Sequence, residues 1–117
     1  MLKYAIREII DTYVKYSEPN WDCYGALPLS SLSVIYGIMF VNNLHIKHLD
    51  FEVFADPDGS IGFDWPNRLE VKEFTISIDK GGLVSYYATL NGEKVHGDCI
   101  SEGPISKELL DIFNKRG

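Results

Sequence analysis

The chain reads as a single α+β domain in two layers: two N-terminal helices, a four- to five-stranded antiparallel meander sheet and a C-terminal helix. Three observations predict this. Apolar residues recur with a helical period near both ends of the chain but with a period of two through the middle. Short hairpin links separate the period-two segments, and helices segregated from such strands indicate a two-layer domain. The chain has 117 residues, of which 45% are apolar and 24% charged, which suits one core, so residues 1–117 are taken as one domain.

The first helix is predicted over residues 3–16. Ile6, Ile9, Ile10, Tyr13 and Val14 follow the spacing of one apolar face, and Pro19 stops the run. The loop Asn20–Pro28 follows and fits no periodic element. Pro28-Leu29-Ser30-Ser31 then supplies a helix start, with Ser30 or Ser31 as N-cap. Leu32 to Val41 is apolar almost all round, which predicts a helix buried on more than one side. Gly37 within it costs about 1 kcal/mol relative to alanine and predicts close approach of another backbone. Asn42-Asn43 ends it.

From residue 51 the pattern is that of strands. Phe51-Val53-Ala55 and Ile61-Phe63-Trp65 each put apolar residues on one face, and Asp56-Pro57-Asp58-Gly59 between them suits a type I turn. A third strand runs from about Leu69 to Ile78. Its apolar parity switches between Val71 and Phe74, which predicts a bulge near Lys72-Glu73. Val84, Tyr86, Ala88 and Leu90 mark the fourth strand. Asn91-Gly92 is a hairpin turn of type I′, leading into a last strand over Lys94–Ile100. Ser106 caps the final helix, with Ile105 and Leu110 as a hydrophobic staple. The helices are expected on one sheet face, with the other face partly wet.

Composition excludes several classes. No apolar run approaches the roughly 20 residues of a bilayer span. Charges interrupt Met1–Glu8 where a signal peptide needs a hydrophobic stretch, so a cytoplasmic setting is expected, with Cys23 and Cys99 as free thiols. Seventeen acids against eleven bases give a net charge of −6, which argues against direct nucleic-acid binding. Asp50, Glu52, Asp56, Asp58 and Asp64 fall in a stretch with no base between Lys47 and Arg68. That stretch is either a solvated surface or an acidic face steering toward a basic partner.

Trp21-Asp22-Cys23-Tyr24-Gly25-Ala26-Leu27-Pro28, followed by Pro57-Asp58-Gly59-Ser60-Ile61-Gly62-Phe63-Asp64-Trp65, resembles a family of small uncharacterised bacterial and phage proteins. Members carry a WDGYGA-x-P loop and a PDGSI hairpin ending in an acid-Trp pair. They also have an aromatic-rich strand like Leu83–Ala88 and a glycine like Gly97. The likeness spans roughly residues 18–100. It implies an accessory product of a phage or mobile element, of inhibitor, antitoxin or immunity type, and it brings no activity. This chain departs from the pattern at Cys23, where the family has glycine.

The chemistry-bearing residues give weak constellations. Cys23, His96 and Asp98 are the types of a thiol nucleophile with base and orienter, but the family's glycine at position 23 weighs against catalysis. His45 and His48 with Asp50 have ligand character but lack a firm third ligand. Asp56-x-Asp58-Gly59 fails the spacing of a calcium loop. Nucleotide and nucleophile-elbow glycine motifs are missing, and no cofactor is implied. Trp21, Tyr24, Trp65, Tyr86 and Tyr87 either converge as a binding surface or plug the core. Asp22 and Asp64 beside the tryptophans suit loop-fixing acceptors.

These residues lead to a non-enzymatic, acidic protein-binding module that occludes a partner's basic surface. Trp21, Asp22, Tyr24, Asp50, Glu52, Asp56, Asp58 and Asp64 are its candidate contacts, and a homodimer is left open. The alternative is a small-ligand-binding or hydrolytic domain using a cleft between the 20–28 loop and the sheet.

Overall fold

The computed structural model describes residues 1–117. Helices α1 (Leu2–Lys15) and α2 (Ser31–Asn42) come first, then a 3-10 turn at Ile46–His48. Strands β1 (Glu52–Ala55), β2 (Ile61–Asp64), β3 (Val71–Ile78), β4 (Leu83–Leu90) and β5 (Glu93–Ile100) follow, and α3 (Lys107–Lys115) closes the chain. The strands form one antiparallel sheet in the order β1-β2-β3-β4-β5, the meander that the patterning predicts. No helix is long and apolar enough to cross a membrane.

Strand alternation makes the two sheet faces different materials. One face carries Ile61, Phe63, Ile76, Ile78, Val84 and Ala88, all buried under the helices with Ile9, Val41, Leu109 and Ile112. The opposite face is open. In register across the strands it presents Glu52, Asp64, Thr75, Tyr87 and His96 in one row and Phe54, Gly62, Ser77, Ser85 and Asp98 in the next.

The turns follow their residue chemistry. Gly59 N–H donates to Asp56 O at 3.0 Å, closing the β1–β2 turn. Asn91 and Gly92 have φ of 51° and 83°, both positive as a type I′ turn requires. The bulge falls where the parity switch places it. The β3–β4 register breaks between Lys72 and Thr75, with Glu73 at φ 53° and its N–H held by Asn67 Oδ1 at 2.9 Å. Ser30 and Ser106 cap α2 and α3 with their side chains.

Three expectations need correction. In α1 the buried stripe is Ala5, Ile9 and Thr12, with Ile10 and Val14 exposed. Packing against α2 and β1 sets this face, and Thr12 tolerates burial because its hydroxyl donates to Glu8 O at 2.8 Å. The helix α2 is buried on its sheet side, but Leu32, Ile35 and Met39 are about half exposed. The first helix packs along it, α3 lies over β4, and its outer face stays bare. Gly37 faces side chains rather than backbone: an added Cβ would sit 3.1 Å from Ile61 Cγ2 and 3.4 Å from Phe63.

The five aromatics do not converge. Trp65 is buried at the centre of an aromatic cluster, stacked on Phe74 at 4.7 Å, with its indole N–H donating to His48 O at 2.8 Å. Tyr86 and Tyr87 are consecutive strand residues and so face opposite sides: Tyr86 is buried under α3, and Tyr87 lies on the open face. Trp21 and Tyr24 sit apart from both, on the 20–28 loop.

Candidate protein-binding end

The 20–28 loop is held in one shape by its own polar groups. Asn20 N–H donates to Ala26 O at 2.7 Å, and Asn20 Oδ1 accepts from Gly25 N–H at 2.7 Å. Asp22 Oδ1 accepts from Tyr24 N–H at 2.8 Å and Ala26 N–H at 3.0 Å, an Asx-type turn. Trp21 packs edge-on against Tyr16, ring centroids 4.8 Å apart, and its indole N–H reaches Leu27 O at 2.9 Å. Trp21 and Asp22 therefore build the loop. Tyr24 stands at its tip, 92% exposed.

Three loop residues have positive φ: Asn20 at 60°, Cys23 at 64° and Gly25 at 83°. Left-handed backbone favours glycine, so Cys23 holds its position at a conformational cost.

The loop and the β1–β2 turn form one structural unit. Leu27 N–H donates to Pro57 O at 2.8 Å, and Ser30 N–H donates to Gly59 O at 2.9 Å. A Cβ at Gly59 would lie 3.2 Å from Pro28 O, so the turn needs glycine both for its φ of 92° and for this approach. Asp58 caps its own turn by accepting from Ser60 N–H at 2.9 Å. Between loop, turn and the β3–β4 turn at Asp79-Lys80 runs a surface groove of about 520 Å³.

From this turn the acids spread onto the open sheet face. Asp56 accepts from Ser77 Oγ at 2.6 Å, and Asp64 accepts from Thr75 Oγ1. Glu52 lies directly across from Asp64, so two like charges face each other on adjacent strands, an arrangement that costs stability. Burial raises the Asp56 carboxyl above the usual carboxylate range, against the Ser77 hydrogen bond, and the charges of Asp58 and Asp64 add to the rise. Phe54, beside these acids, lies over Gly62, where a Cβ would come within 2.1 Å of its ring.

Asp50 adjoins Glu52 and Asp64 on this surface, but its charge is paired. Its Oδ2 accepts from Arg116 at 2.8 Å and Arg68 at 2.9 Å. Burial opposes its ionisation, but the Arg116 hydrogen bond and charge, with the Arg68 bond, hold its carboxyl below the usual range. The stretch without bases is thus neutralised at this point by an arginine 66 positions away in sequence.

The other constellations are not assembled. Cys23 rides the loop bound to the β1–β2 turn, whereas His96 and Asp98 are on β5 at the opposite edge of the sheet. His48 is buried against Phe113, and its Nδ1 meets Arg116 Nη1 at 3.1 Å. His45 Nδ1 accepts from Lys47 N–H at 3.2 Å. Both histidines already hold protein partners.

Sequence reading missed Phe54, Glu8 and Arg116. Phe54 left one signal, an aromatic at a parity where its neighbours are acids. The others act on segments far away in the chain and left none.

No protein family, curated protein or solved structure matches the chain.

Proposed function

We propose that this is a non-enzymatic protein-binding module that covers a basic surface of its partner, in the manner of an inhibitor, antitoxin or immunity protein of a bacterium or phage. One observation carries the reading: Tyr24 is 92% exposed at the tip of a loop whose backbone is fixed by hydrogen bonds at almost every turn. An exposed tyrosine on a fixed backbone brings apolar area and a hydroxyl to an interface with little ordering cost for the loop. Asp56 and Asp58 sit in the adjoining turn, Glu52 and Asp64 pair at the far end of the same hairpin, and together they supply the negative field that steers a basic partner. Trp21 and Asp22 serve the contact indirectly by holding the loop in shape.

The test is site-specific photo-crosslinking from position 24 in the native host, followed by binding measurements with the captured protein. The reading expects one stoichiometric partner. Tyr24→Ala should weaken its binding at least tenfold while the melting temperature stays unchanged, and Glu52→Lys, which also relieves the like-charge pair with Asp64, should weaken it at least tenfold without lowering the melting temperature. The groove of about 520 Å³ favours a second reading, capture of a small polar ligand between Ser30, Asp58 and Lys80. Native mass spectrometry showing a co-purified metabolite that is lost in Lys80→Ala would support it instead.

A further inference from the structure

The two edges of the sheet are finished differently. The first strand is four residues long, α1 packs beside it, and its outward-pointing Val53 N–H donates to Glu8 Oε1 at 3.1 Å. By contrast β5 is eight residues long, has neither proline nor bulge, and pairs with β4 in unbroken register from Leu83↔Ile100 to Leu90↔Glu93. A two-residue type I′ turn makes Leu90 and Glu93 a hydrogen-bonded pair. The parity is the same at the far end, where Ser101 N–H donates to Gly82 O at 2.9 Å. Odd-numbered residues of β5 therefore bond β4, and Lys94, His96 and Asp98 point their N–H and C=O groups away from the sheet. No side chain or loop is bonded to these groups, and proteins ordinarily blunt an edge left in this state.

We propose that β5 pairs antiparallel with β5 of a second copy, about a two-fold axis through His96, to make a continuous ten-stranded sheet. Charge selects this occupant and this register. With the axis at His96, Lys94 of each copy faces Asp98 of the other on the open face, giving two opposite-charge pairs. Neither residue has an ion-pair partner within its own chain. An axis at Asp98 sets the two Asp98 carboxylates against each other. An axis at Gly97 pairs His96 with Asp98 but leaves both Lys94 side chains opposite Ile100, and one at Val95 sets Lys94 against His96. A parallel arrangement in register would oppose lysine to lysine. On the helix side Val95 faces Gly97 of the other copy, over which Tyr86 and Glu108 already pack.

The dimer also fits the binding end. The 20–28 loop and β1–β2 turn belong to the edge opposite β5, so pairing through β5 leaves both Tyr24 tips free at the two far ends of the sheet. Two sites on one rigid body gain avidity for a repeating or dimeric partner.

Sedimentation equilibrium of the full chain from micromolar to millimolar concentration, at low salt, is the test. The wild type should dimerise reversibly. Lys94→Asp sets acid against acid twice and should weaken the dimer about tenfold or more, and adding Asp98→Lys should restore it. His96→Pro removes an outward N–H that β4 does not use, so it should keep the monomer's circular dichroism and lose the dimer. A wild type that stays monomeric at millimolar concentration overturns the proposal. So does a dimer indifferent to Lys94→Asp, or a double variant that remains monomeric. The measurement involves no partner protein, so its failure leaves the proposed binding function standing.

Discussion

Leu27 N–H donates to Pro57 O at 2.8 Å, joining the aromatic loop to the acidic turn in one unit. The two segments lie thirty residues apart in sequence and carry the most distinctive residues of the chain. Their docking fixes the base of the loop that displays Tyr24 against the turn that carries Asp56 and Asp58.

The loop depends on Asp22, whose Oδ1 accepts two backbone N–H groups. Asp22→Ala should cost about 1–2 kcal/mol in urea unfolding, the usual penalty for stranding such donors. Hydrogen exchange of the Tyr24 and Ala26 amides should quicken in the same variant, with the sheet amides unaffected.

Cys23 occupies a left-handed conformation at φ 64° with its side chain in solvent. Cys23→Gly should stabilise the protein by about 1 kcal/mol, because L-residues pay that much for this backbone region. A melting temperature that falls would show that the thiol makes a contact outweighing the strain.

Two glycines seat aromatic rings, one on each face of the sheet. At Gly97 an added Cβ would come within 2.4 Å of the Tyr86 hydroxyl, which donates to Glu108 at 2.7 Å. At Gly62 the obstacle is the Phe54 ring on the open face. Gly97→Ala should therefore destabilise by about 2 kcal/mol, since a buried, hydrogen-bonded ring cannot swing aside. Gly62→Ala should cost less than half of that, because Phe54 can rotate into solvent. Chemical unfolding of the two variants side by side checks the order.

The fold was legible because it rests on local signals. The change of period near residue 51, the glycine turns and the parity switch at Lys72-Glu73 each reveal a strand, a link or a bulge without knowledge of the partner. Long-range pairings leave no such trace. Arg116 neutralising Asp50, Glu8 capping the β1 edge and Tyr86 crossing Gly97 to Glu108 join segments whose proximity only the assembled fold creates. The candidate site was half visible. Its residue types stood out, but the division of labour between Trp21, which locks the loop, and Tyr24, which is displayed, follows from geometry.

His48 sets a pH dependence. Burial, then the charges of Arg116 and Lys47, push its pKa down to about 4 from an ordinary value of 6.5. Between these values the unfolded chain binds a proton that the folded chain refuses, so stability rises with pH across that window. The contribution is complete above pH 6.5 and is lost progressively as pH falls toward 4. The urea midpoint should drop from pH 7 to pH 5. His48→Asn, whose side-chain oxygen can still accept from Arg116, should flatten that slope, and an unchanged slope would contradict the assignment.

The central claim is that Tyr24 and the acidic turn docked to its loop form a preorganised contact for another protein. Isothermal titration of the crosslinked partner against wild type and Tyr24→Ala tests it most directly. The account predicts an affinity loss of at least tenfold in a variant that melts at the wild-type temperature. Equal affinities for the two proteins would contradict it.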